Sequence, residues 1–465
     1  MIDGLRPYPE MKPSGLPWLG EVPAHWDVLR AKRLLKATEI PVRPDDEIVT
    51  CFRDGQVTLR KNRRSNGFMI ALLEQGYQGV RTGQLVVHSM DAFAGAIGIS
   101  DSDGKCTPEY IVCESRVDDA VLGYYSWVLR QAARTGYILA SCPAVRERAP
   151  RLRYPDLGEL RVPVPSSDEQ RLIVRFLDWH GAQTAKMIRA KKRIVALLNE
   201  EKQAIIHRAV TRGLDPNVKL KPSGIPWLGD VPEGWEVTKL KHLTRFQNGL
   251  AFKPSDWSSS GTPIIRIQNL NGSDDFNFTI KSDLPDLLLI KKGDLMFAWS
   301  GNRGTSFGSF IWDRDFNGYL NQHIFKLTDY KVHGKYFYYL LQAVTKHVED
   351  ESHGIIGLVH ITKPELGSVS VPVAPPDEQN AIATWIDGQT SALAAIIQRT
   401  TREIALIQEF RTRLIADVVT GKLDVRVLAN ALPEITDDRP VEEAGGDEDL
   451  DEQDATDAEN EEVAA

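Results

Sequence analysis

The sequence predicts an α+β fold in which two mixed α/β domains are separated by two long helices packed as an antiparallel coiled coil, with a pseudo-two-fold internal repeat. A tryptophan-rich phrase at residues 12–28 returns at residues 221–237 with 12 of 17 positions identical and an offset of 209 residues. Two further phrases repeat at the same offset, 162–170 with 371–379 and 210–215 with 419–424. A unit of this length is a whole domain with a connector, not a solenoid repeat.

Composition argues against a membrane protein and against a metal or disulfide framework. The chain has 465 residues, 42% of them hydrophobic, which is enough for the cores of about three domains. No apolar run approaches the ~18 residues of a membrane span, and the N-terminus carries no signal-type stretch. The four cysteines, Cys51, Cys106, Cys113 and Cys142, form no C-x-x-C pair. We expect a soluble, cytoplasmic protein with reduced thiols.

The net charge of -8 hides a strong asymmetry along the chain. Residues 434–465 hold 15 acidic residues and one basic residue, so residues 1–433 carry a net charge of +6. With few large apolar residues, this acidic tail is predicted to be disordered. It is either a solubilising appendage or a DNA mimic that competes for a basic surface.

Short β-type runs and turn residues follow each tryptophan phrase, and they indicate the two mixed domains. The predicted strands are 48–52, 56–59 and 85–87 in the first copy, and 263–267, 295–298 and 323–327 in the second. Each copy also holds an aromatic helical segment, at 124–129 and 336–341.

Each copy then changes to a long segment without internal proline, at 167–212 and 376–420, where apolar residues recur at helical spacing. The first apolar stripe is Ile173, Phe176, Leu177, Met187, Ile188, Ile194, Leu198, Ile205 and Ile206. The second is Ile382, Trp385, Ile386, Leu393, Ile396, Ile397, Ile404, Ile407, Phe410, Leu414 and Ile415. The simplest way to bury both stripes is to pack them against each other as a rigid spacer of ~70 Å.

The Asp-Glu-Gln phrases at 168–170 and 377–379 open these segments. Ser167 with Gln170 predicts a capping box, and acidic residues in a first turn suit the helix dipole. We prefer this interpretation to a catalytic pair of carboxylates. For the tryptophan phrases we prefer docking against the long helices to stacking on a ligand.

The twin Leu/Ile-Pro-Trp-Leu-Gly-x-Val-Pro-x-x-Trp phrases, the twin Asp-Glu-Gln helix starts and the closing Val-Thr-Gly-Lys-Leu-Asp resemble the specificity (S) subunits of type I restriction–modification enzymes. The segments 246–252 and 261–269 add to this resemblance, which covers about residues 12–425. The acidic tail is not part of the family pattern.

The resemblance implies a division into target-recognition domains at 1–165 and 216–375, a central helical region at 166–215, a distal one at 376–425 and a tail at 426–465. Each domain would read one half of an asymmetric, bipartite site in double-stranded DNA. The helical regions would dock two methyltransferase (M) subunits, and endonuclease/translocase (R) subunits would join that core. S-adenosylmethionine, ATP and Mg²⁺ are expected only on the partner subunits, and no cofactor is expected on this chain.

The sequence contains no nucleotide-binding P-loop, no methyltransferase motif and no metal-ligand or Ser/His/Asp pattern, which favours a reader over a catalyst. A methyltransferase or nuclease in its own right is therefore disfavoured. Two alternatives stay open, a stand-alone DNA-binding protein and a specificity module of another defence system, in both cases without M or R partners.

Reading DNA requires Arg, Lys, Asn or Gln side chains on groove-facing loops. In the first domain the candidates are Arg60, Lys61, Asn62, Arg63, Arg64 and Asn66, followed by Arg146, Arg148, Arg151 and Arg153. In the second domain they are Arg266, Gln268, Asn269, Asn271, Asn302, Arg303 and His353. A solvated surface role remains the alternative for each, and a structural role within a strand for Arg266 and Gln268.

Overall fold

The computed structural model describes residues 5–63, 76–142, 150–352 and 358–433, and the chain divides into two compact units. Unit 1 comprises Met1–Arg189 and Ala405–Ala465, and unit 2 comprises Ala190–Ile404. Each unit therefore combines one mixed domain with the first part of one long helix and the last part of the other.

The mixed domain of unit 1 is built from short strands and three helices. Its strands are β1 Met11–Leu16, β2 Gly20–Pro23, β3 Asp27–Arg30, β4 Leu35–Ala37, β5 Val49–Cys51, β6 Val57–Leu59, β7 Gln78–Val80, β8 Leu85–His88, β9 Ile97–Ile99, β10 Gly104–Cys106, β11 Tyr110–Ser115 and β12 Arg161–Val164. Its helices are α1 Leu122–Arg134, α2 Tyr137–Ser141 and α3 Tyr154–Glu159, and the long helix α4 Ser167–Arg212 follows.

Unit 2 repeats this plan with additional strands. Its strands are β13 Leu220–Pro222, β14 Asp230–Pro232, β15 Glu236–Lys239, β16 Arg245–Asn248, β17 Thr262–Ile265, β18 Asn277–Thr279, β19 Leu289–Ile290, β20 Leu295–Ala298, β21 Ser300–Asn302, β22 Gly308–Ile311, β23 Gly318–Leu320, β24 Ile324–Thr328, β25 Leu358–His360 and β26 Ser370–Val373. Its helices are α5 Leu240–Leu243, α6 Ile267–Leu270, α7 Gly334–Glu351 and α8 Lys363–Ser368; the long helix α9 Pro376–Val419 and then α10 Arg426–Ala431 follow.

The two domains share a framework of paired strands. An antiparallel four-stranded sheet has the order β4-β11-β8-β9 in unit 1 and β16-β24-β20-β22 in unit 2. The ribbon β3–β12 pairs Arg30 with Arg161, and the ribbon β15–β26 pairs Lys239 with Ser370, which are the same positions displaced by 209 residues. The internal repeat predicted from the phrases is thus a repeat of strand register.

Outside this framework the domains differ. Unit 1 adds the two-stranded pairs β5–β6 and β7–β10, whereas unit 2 adds a sheet of order β18-β17-β23-β19 and the pair β21–β25. Each domain accordingly has a second, smaller core, around Val57 and Cys106 in unit 1 and around Ile265 and Trp312 in unit 2.

The tryptophan phrases dock on the long helices, as the sequence predicted. Trp26 is fully buried in the core that contains Phe176 of α4 and Val418 of α9. Trp235 is 2% exposed in the core that contains Ile206 of α4 and Ile386 of α9. Each tryptophan thus joins the first part of one helix to the last part of the other.

Each long helix ends beside the tryptophan of its unit. Gly213 follows α4 with φ +73°, and Gly421 lies two residues after α9 with φ +76°, a left-handed conformation that glycine adopts without strain. A Cβ at Gly213 would lie 3.2 Å from Trp235, and one at Gly421 would lie 2.9 Å from Trp26. Glycine is required there for its conformation and for the approach of the ring.

A buried glutamine ties the start of each long helix to the domain. The Gln170 amide accepts a hydrogen bond from the N–H of Val121 (2.9 Å) and donates to the carbonyl of Pro165 (2.9 Å). The Gln379 amide accepts from the N–H of His333 (2.7 Å) and donates to the carbonyl of Ala374 (2.8 Å).

The residues Val121 and His333 precede the equivalent helices α1 and α7, so the glutamines join matching positions. The predicted capping box of Ser167 with Gln170 is therefore wrong. The Gln170 side chain turns to the domain, and it is Ser166 Oγ that accepts from the N–H of Glu169 at 3.4 Å.

Within each unit the two long helices run antiparallel. In unit 1, Arg411 lies beside Gly181, and in unit 2 an ion pair of 2.6 Å joins Lys191 to Glu403. Burial of the apolar stripes is only partial, however. Several of the stripe residues that were expected to be covered are well exposed, namely Met187 at 51%, Ile194 at 47%, Ile396 at 48%, Phe410 at 42% and Trp385 at 39%.

Two further expectations need correction. Strand β17 ends at Ile265, and residues 267–270 form α6, so Gln268 does not lie in a strand. Residues 426–431, assigned to the tail, form α10, whose Ala429 is fully buried in the main core of unit 1. The acidic residues 434–465 lie outside the described residues. No helix in the described part of the chain is long and apolar enough to cross a membrane.

Replacing Gln379 with Leu should loosen unit 2 at the start of α7. The substitution leaves the N–H of His333 and the carbonyl of Ala374 without their partner, at a cost of ~1–3 kcal/mol. We expect faster hydrogen exchange at the His333 amide and a lower unfolding temperature. The control is Gln268→Leu, because Gln268 is exposed. Unchanged exchange at His333 would contradict the role given to Gln379.

Candidate nucleic-acid interface

The candidate residues of the first domain follow the hairpin β5–β6. Residues 60–62 form a single 3₁₀ turn after β6, which brings Arg63 back to the hairpin turn. Arg63 there binds Asp54 at 2.6 Å, and its guanidinium lies 4.2 Å from the centre of the Phe52 ring. This stacked ion pair fixes the turn.

The other described members of this cluster also have partners within the domain. Arg60 Nε donates to Thr50 Oγ1 (3.3 Å), and Asn62 Nδ2 donates to Thr58 Oγ1 (2.8 Å). Lys61 Nζ lies 2.5 Å from a carboxylate oxygen of Glu47, with 62% of its side chain exposed. Lys61 is thus well placed to exchange an intramolecular partner for a phosphate, since an exposed ion pair is worth little.

The second candidate segment of the first domain is described only in part. Arg151 pairs with Glu109 at 2.9 Å, and Arg153 is exposed immediately before α3. Five candidates, Arg64, Asn66, Arg146, Arg148 and His353, lie outside the described residues.

In the second domain, α6 and the loop after it form one hydrogen-bonded unit around Asn269. The Asn269 carbonyl oxygen accepts from the N–H of Arg266 at 2.9 Å, and its amide donates to the carbonyl of Asp275 at 2.8 Å. Asn269 is 2% exposed, so its amide shapes the loop and does not reach the surface. Gln268 and Asn271 are exposed on the same loop.

The turn between β21 and β22 is supported by the end of α7. The Gly304 N–H donates to Glu349 Oε1 at 2.7 Å, and the Arg303 guanidinium donates to the carbonyl of Ser352 at 3.0 Å. Burial raises the pKa of the Glu349 carboxyl, and the hydrogen bond from Gly304 opposes that effect. Asn302 accepts three backbone N–H groups at its carbonyl, from residues 305–307, so this turn is well ordered by its own hydrogen bonds.

An aromatic and imidazole cluster next to this turn was missed by the sequence analysis. The Trp299 ring lies 5.0 Å from both His323 and His360, and its N–H donates to the carbonyl of Gln322 at 3.1 Å. Burial, with His360 nearby, lowers the pKa of His323. The side chains of Gln322 and His360 are exposed. These residues come from three separate strand ends, so no local pattern in the sequence could have grouped them.

No group of three or more His, Cys, Asp or Glu side chains suited to a metal ion is present in the described residues. Cys51, Cys106 and Cys113 are buried and Cys142 is half-buried, all four as free thiols. Burial raises the pKa of the Cys106 and Cys113 thiols to about 12, so neither is a nucleophile at neutral pH.

Comparison with known proteins finds similarity to one family. Residues 232–406 match the family described as type I restriction modification DNA specificity domain. The type I restriction enzyme MjaVIII specificity subunit of Methanocaldococcus jannaschii is 26% identical over 285 residues, which cover 58% of this chain and 63% of that protein. The type I restriction enzyme EcoBI specificity subunit of Escherichia coli is 23% identical over 210 residues, which cover 44% of this chain and 43% of that protein.

The chain thus spans less than two thirds of the length of these relatives. A chain from a solved structure on complex assembly and conformational transition of a type I restriction–modification system shares the fold, with a TM-score of 0.58 at 13% identity. That match covers 86% of this chain and 98% of the other. The resemblance carried by the repeated phrases is confirmed: the chain is similar to the specificity subunits of type I restriction–modification enzymes, and residues 232–406 match the DNA specificity domain of that family.

Proposed function

We propose that this chain is the DNA-recognition subunit of a type I restriction–modification complex and reads an asymmetric, bipartite site with its two domains. The observation that carries the proposal is a repeated framework with unlike surfaces. The ribbons β3–β12 and β15–β26 keep one register, whereas the hairpin β5–β6 and the Trp299 cluster have no equivalents among the described residues of the other domain. Two unlike reading surfaces on equivalent scaffolds suit two different half-sites.

Under this proposal the chain carries no chemistry of its own. Methyl transfer and DNA cleavage belong to M and R partner subunits, and S-adenosylmethionine, ATP and Mg²⁺ bind there. The lack of nucleotide-binding and methyltransferase motifs in the sequence supports this division of labour.

Sequencing the methylated bases of the host genome, with and without this gene, tests the proposed function. We expect one bipartite methylated motif to vanish when the gene is deleted and to return on complementation. The purified chain should bind DNA and show no methyl transfer by itself. Methylation that persists in the deletion strain, or activity of the isolated chain, would refute the proposal.

The Trp299 cluster is proposed to read bases in the second half-site. Trp299 is held by its hydrogen bond to the carbonyl of Gln322. The exposed side-chain amide of Gln322 lies 3.0 Å from His323 Nε2, and the exposed His360 contacts the Trp299 ring. A glutamine amide can both accept from and donate to an adenine edge in the major groove.

Replacing Gln322 or His360 with Ala should therefore relax one base position in the second half-site and leave the first half-site unchanged. A lost base contact costs ~1–3 kcal/mol. The measurement is the methylated motif in cells that carry each variant. The control is His242→Ala. His242 is also an exposed histidine of unit 2, but its ring is hydrogen-bonded to Thr238 and lies outside the Trp299 cluster. If the motif keeps its stringency in both variants, the cluster does not read bases.

The exposed apolar residues of the long helices support two equivalent docking surfaces for M subunits. Met187 and Ile396 are equivalent under the 209-residue repeat, and so are Leu197 and Leu406. All four are between 46% and 54% exposed. Unit 1 holds Met187 with Leu406, and unit 2 holds Ile396 with Leu197.

Because the two long helices run antiparallel, the two exposed apolar residues of each unit lie at the same level along the helix axes. Gly181 lies beside Arg411 in unit 1, so Met187 comes level with Leu406. Lys191 binds Glu403 in unit 2, so Leu197 comes level with Ile396. Each unit therefore offers the same exposed apolar pair, which suits two copies of one partner.

Replacing the exposed apolar pair of one unit with charged residues should prevent one M subunit from binding. We expect native mass spectrometry of the assembled complex to change from two M subunits to one when Met187 and Leu406 are both replaced with Glu. The matched variant Ile396→Glu with Leu197→Glu should lose the other copy, because a carboxylate is costly in a closed apolar interface. The control is Gln398→Glu, at an exposed polar position on α9. Two M subunits retained in both double variants would exclude these surfaces.

A further inference from the structure

Unit 1 brings together three arginine side chains that have no carboxylate partner. Arg130 and Arg134 lie on α1, and Arg411 lies on the last part of α9. In the described part of the chain none of the three guanidinium groups forms an ion pair or a hydrogen bond with another residue, and the buried Arg130 Nε has no hydrogen-bond partner. Asp54 raises the pKa of Arg130, but its carboxylate is already bound by Arg63.

Glycines stand beside the guanidinium groups of Arg130 and Arg411. The Arg130 guanidinium lies 5.2 Å from the centre of the Trp127 ring and covers Gly55 in the turn of the hairpin β5–β6. A Cβ added at Gly55 would collide with it. On the other side, the Arg411 guanidinium lies 3.9 Å from the Cβ position of Gly181 on α4.

The three charges repel one another; Arg130 and Arg411 are half-buried, whereas Arg134 is exposed. Burial first, and then Arg134, lowers the pKa of Arg130 to about 10; Arg411 contributes to the same effect. Burial and Arg411 also lower the pKa of Arg134. Arginine side chains stay protonated in proteins, so the cluster has an unfavourable self-energy that an anion would offset.

We propose that Arg130, Arg134 and Arg411 form a binding site for a phosphate group of the DNA backbone. The planar guanidinium groups can donate paired hydrogen bonds to phosphate oxygens. The inference rests on the proposed function, because the phosphate comes from the DNA that unit 1 is proposed to read.

The surroundings favour DNA over an acidic protein as the source of the anion. The site adjoins the hairpin turn at 52–56, where Arg53 pairs with Asp91 and Arg63 with Asp54. The patch thus joins five arginines to two aspartates, and it is continuous with the predicted DNA-binding segment at 60–63. A basic patch that extends beyond a reading loop suits the phosphates that flank a half-site.

The site belongs to the first copy only. Aligning the buried Tyr124 of α1 with the buried Tyr336 of α7 matches Arg130 with Gln342 and Arg134 with Lys346. Lys346 is already paired with Asp350 at 2.6 Å. Lys346 therefore provides a matched control in the other unit.

The salt dependence of DNA binding by the full chain tests this site. The probe is a duplex of random sequence, and the variant is Arg134→Gln with Arg411→Gln. Each phosphate contact contributes ~0.9 to the slope of log K against log salt concentration. We expect the slope to fall by ~0.9 in the variant, because the site binds one phosphate. Arg134→Lys should keep most of the slope, since it keeps the charge.

Two controls separate the site from general loss of basic charge. Lys346→Gln, in unit 2, and Arg413→Gln, on the exposed side of α9 where Arg413 pairs with Glu409, should leave the slope unchanged. Inorganic phosphate should raise the unfolding temperature of the wild type more than that of the double variant. A variant that no longer unfolds cooperatively is replaced by Arg134→Gln alone, because Arg134 is exposed.

The outcomes distinguish failure of the phosphate site from failure of the proposed function. An unchanged slope in a folded variant overturns the site and leaves the proposed function standing. Stabilisation by poly-glutamate, together with an unchanged DNA slope, assigns the cluster to a protein partner and overturns the phosphate site. Absence of DNA binding by the wild-type chain overturns the proposed function, and the phosphate site with it.

Discussion

The buried amide at the start of each long helix is the contact on which the rest of the structure depends. Gln170 and Gln379 are 1% and 4% exposed, and each amide joins the first turn of its helix to the residue that precedes α1 or α7. A buried amide of this kind tolerates little displacement, because any loss of geometry leaves buried polar groups without partners. The tryptophans beside it, Trp26 and Trp235, then join the end of the other helix to the same place.

The contacts that hold each domain to the long helices are separate from the loops that differ between the domains. The glutamines, the tryptophans and the ribbons β3–β12 and β15–β26 hold each domain to its helices in one register. The hairpin β5–β6 packs on the smaller core around Val57, whereas Trp299 packs against the main core of unit 2. A change in the hairpin of unit 1 costs little in the main core, so the loop proposed to read DNA there can change while the framework persists.

The sequence predicted the parts of the fold that repeat or have a regular period. Both long helices begin where proposed, at Ser167 and Pro376, because an apolar period sustained over so many residues leaves little ambiguity. The role of Gln170 was missed because its partner, Val121, is far away in sequence and local spacing suggested a capping box. Likewise, α6 interrupts an apparent strand, since Asn269 bonds the chain into a turn. The cluster of Trp299, His323 and His360 assembles only after folding.

The two copies also differ in the partners of the glutamate that precedes the buried glutamine in each long helix. In unit 2, Glu378 accepts a hydrogen bond from the Trp235 ring N–H at 3.3 Å. In unit 1, the equivalent Glu169 is instead bound by Tyr8 at 2.6 Å and by His25 at 3.0 Å, and the phrase around Trp235 offers Gly234 at the position of His25. A carboxylate that is 3% exposed needs such partners, because burial without them would cost several kcal/mol. Glu378, by contrast, is exposed, so the two copies give the same position different surroundings and different partners while the framework is kept. The arginine cluster of unit 1 is a divergence of the opposite kind, because there the charge is left for a ligand to satisfy.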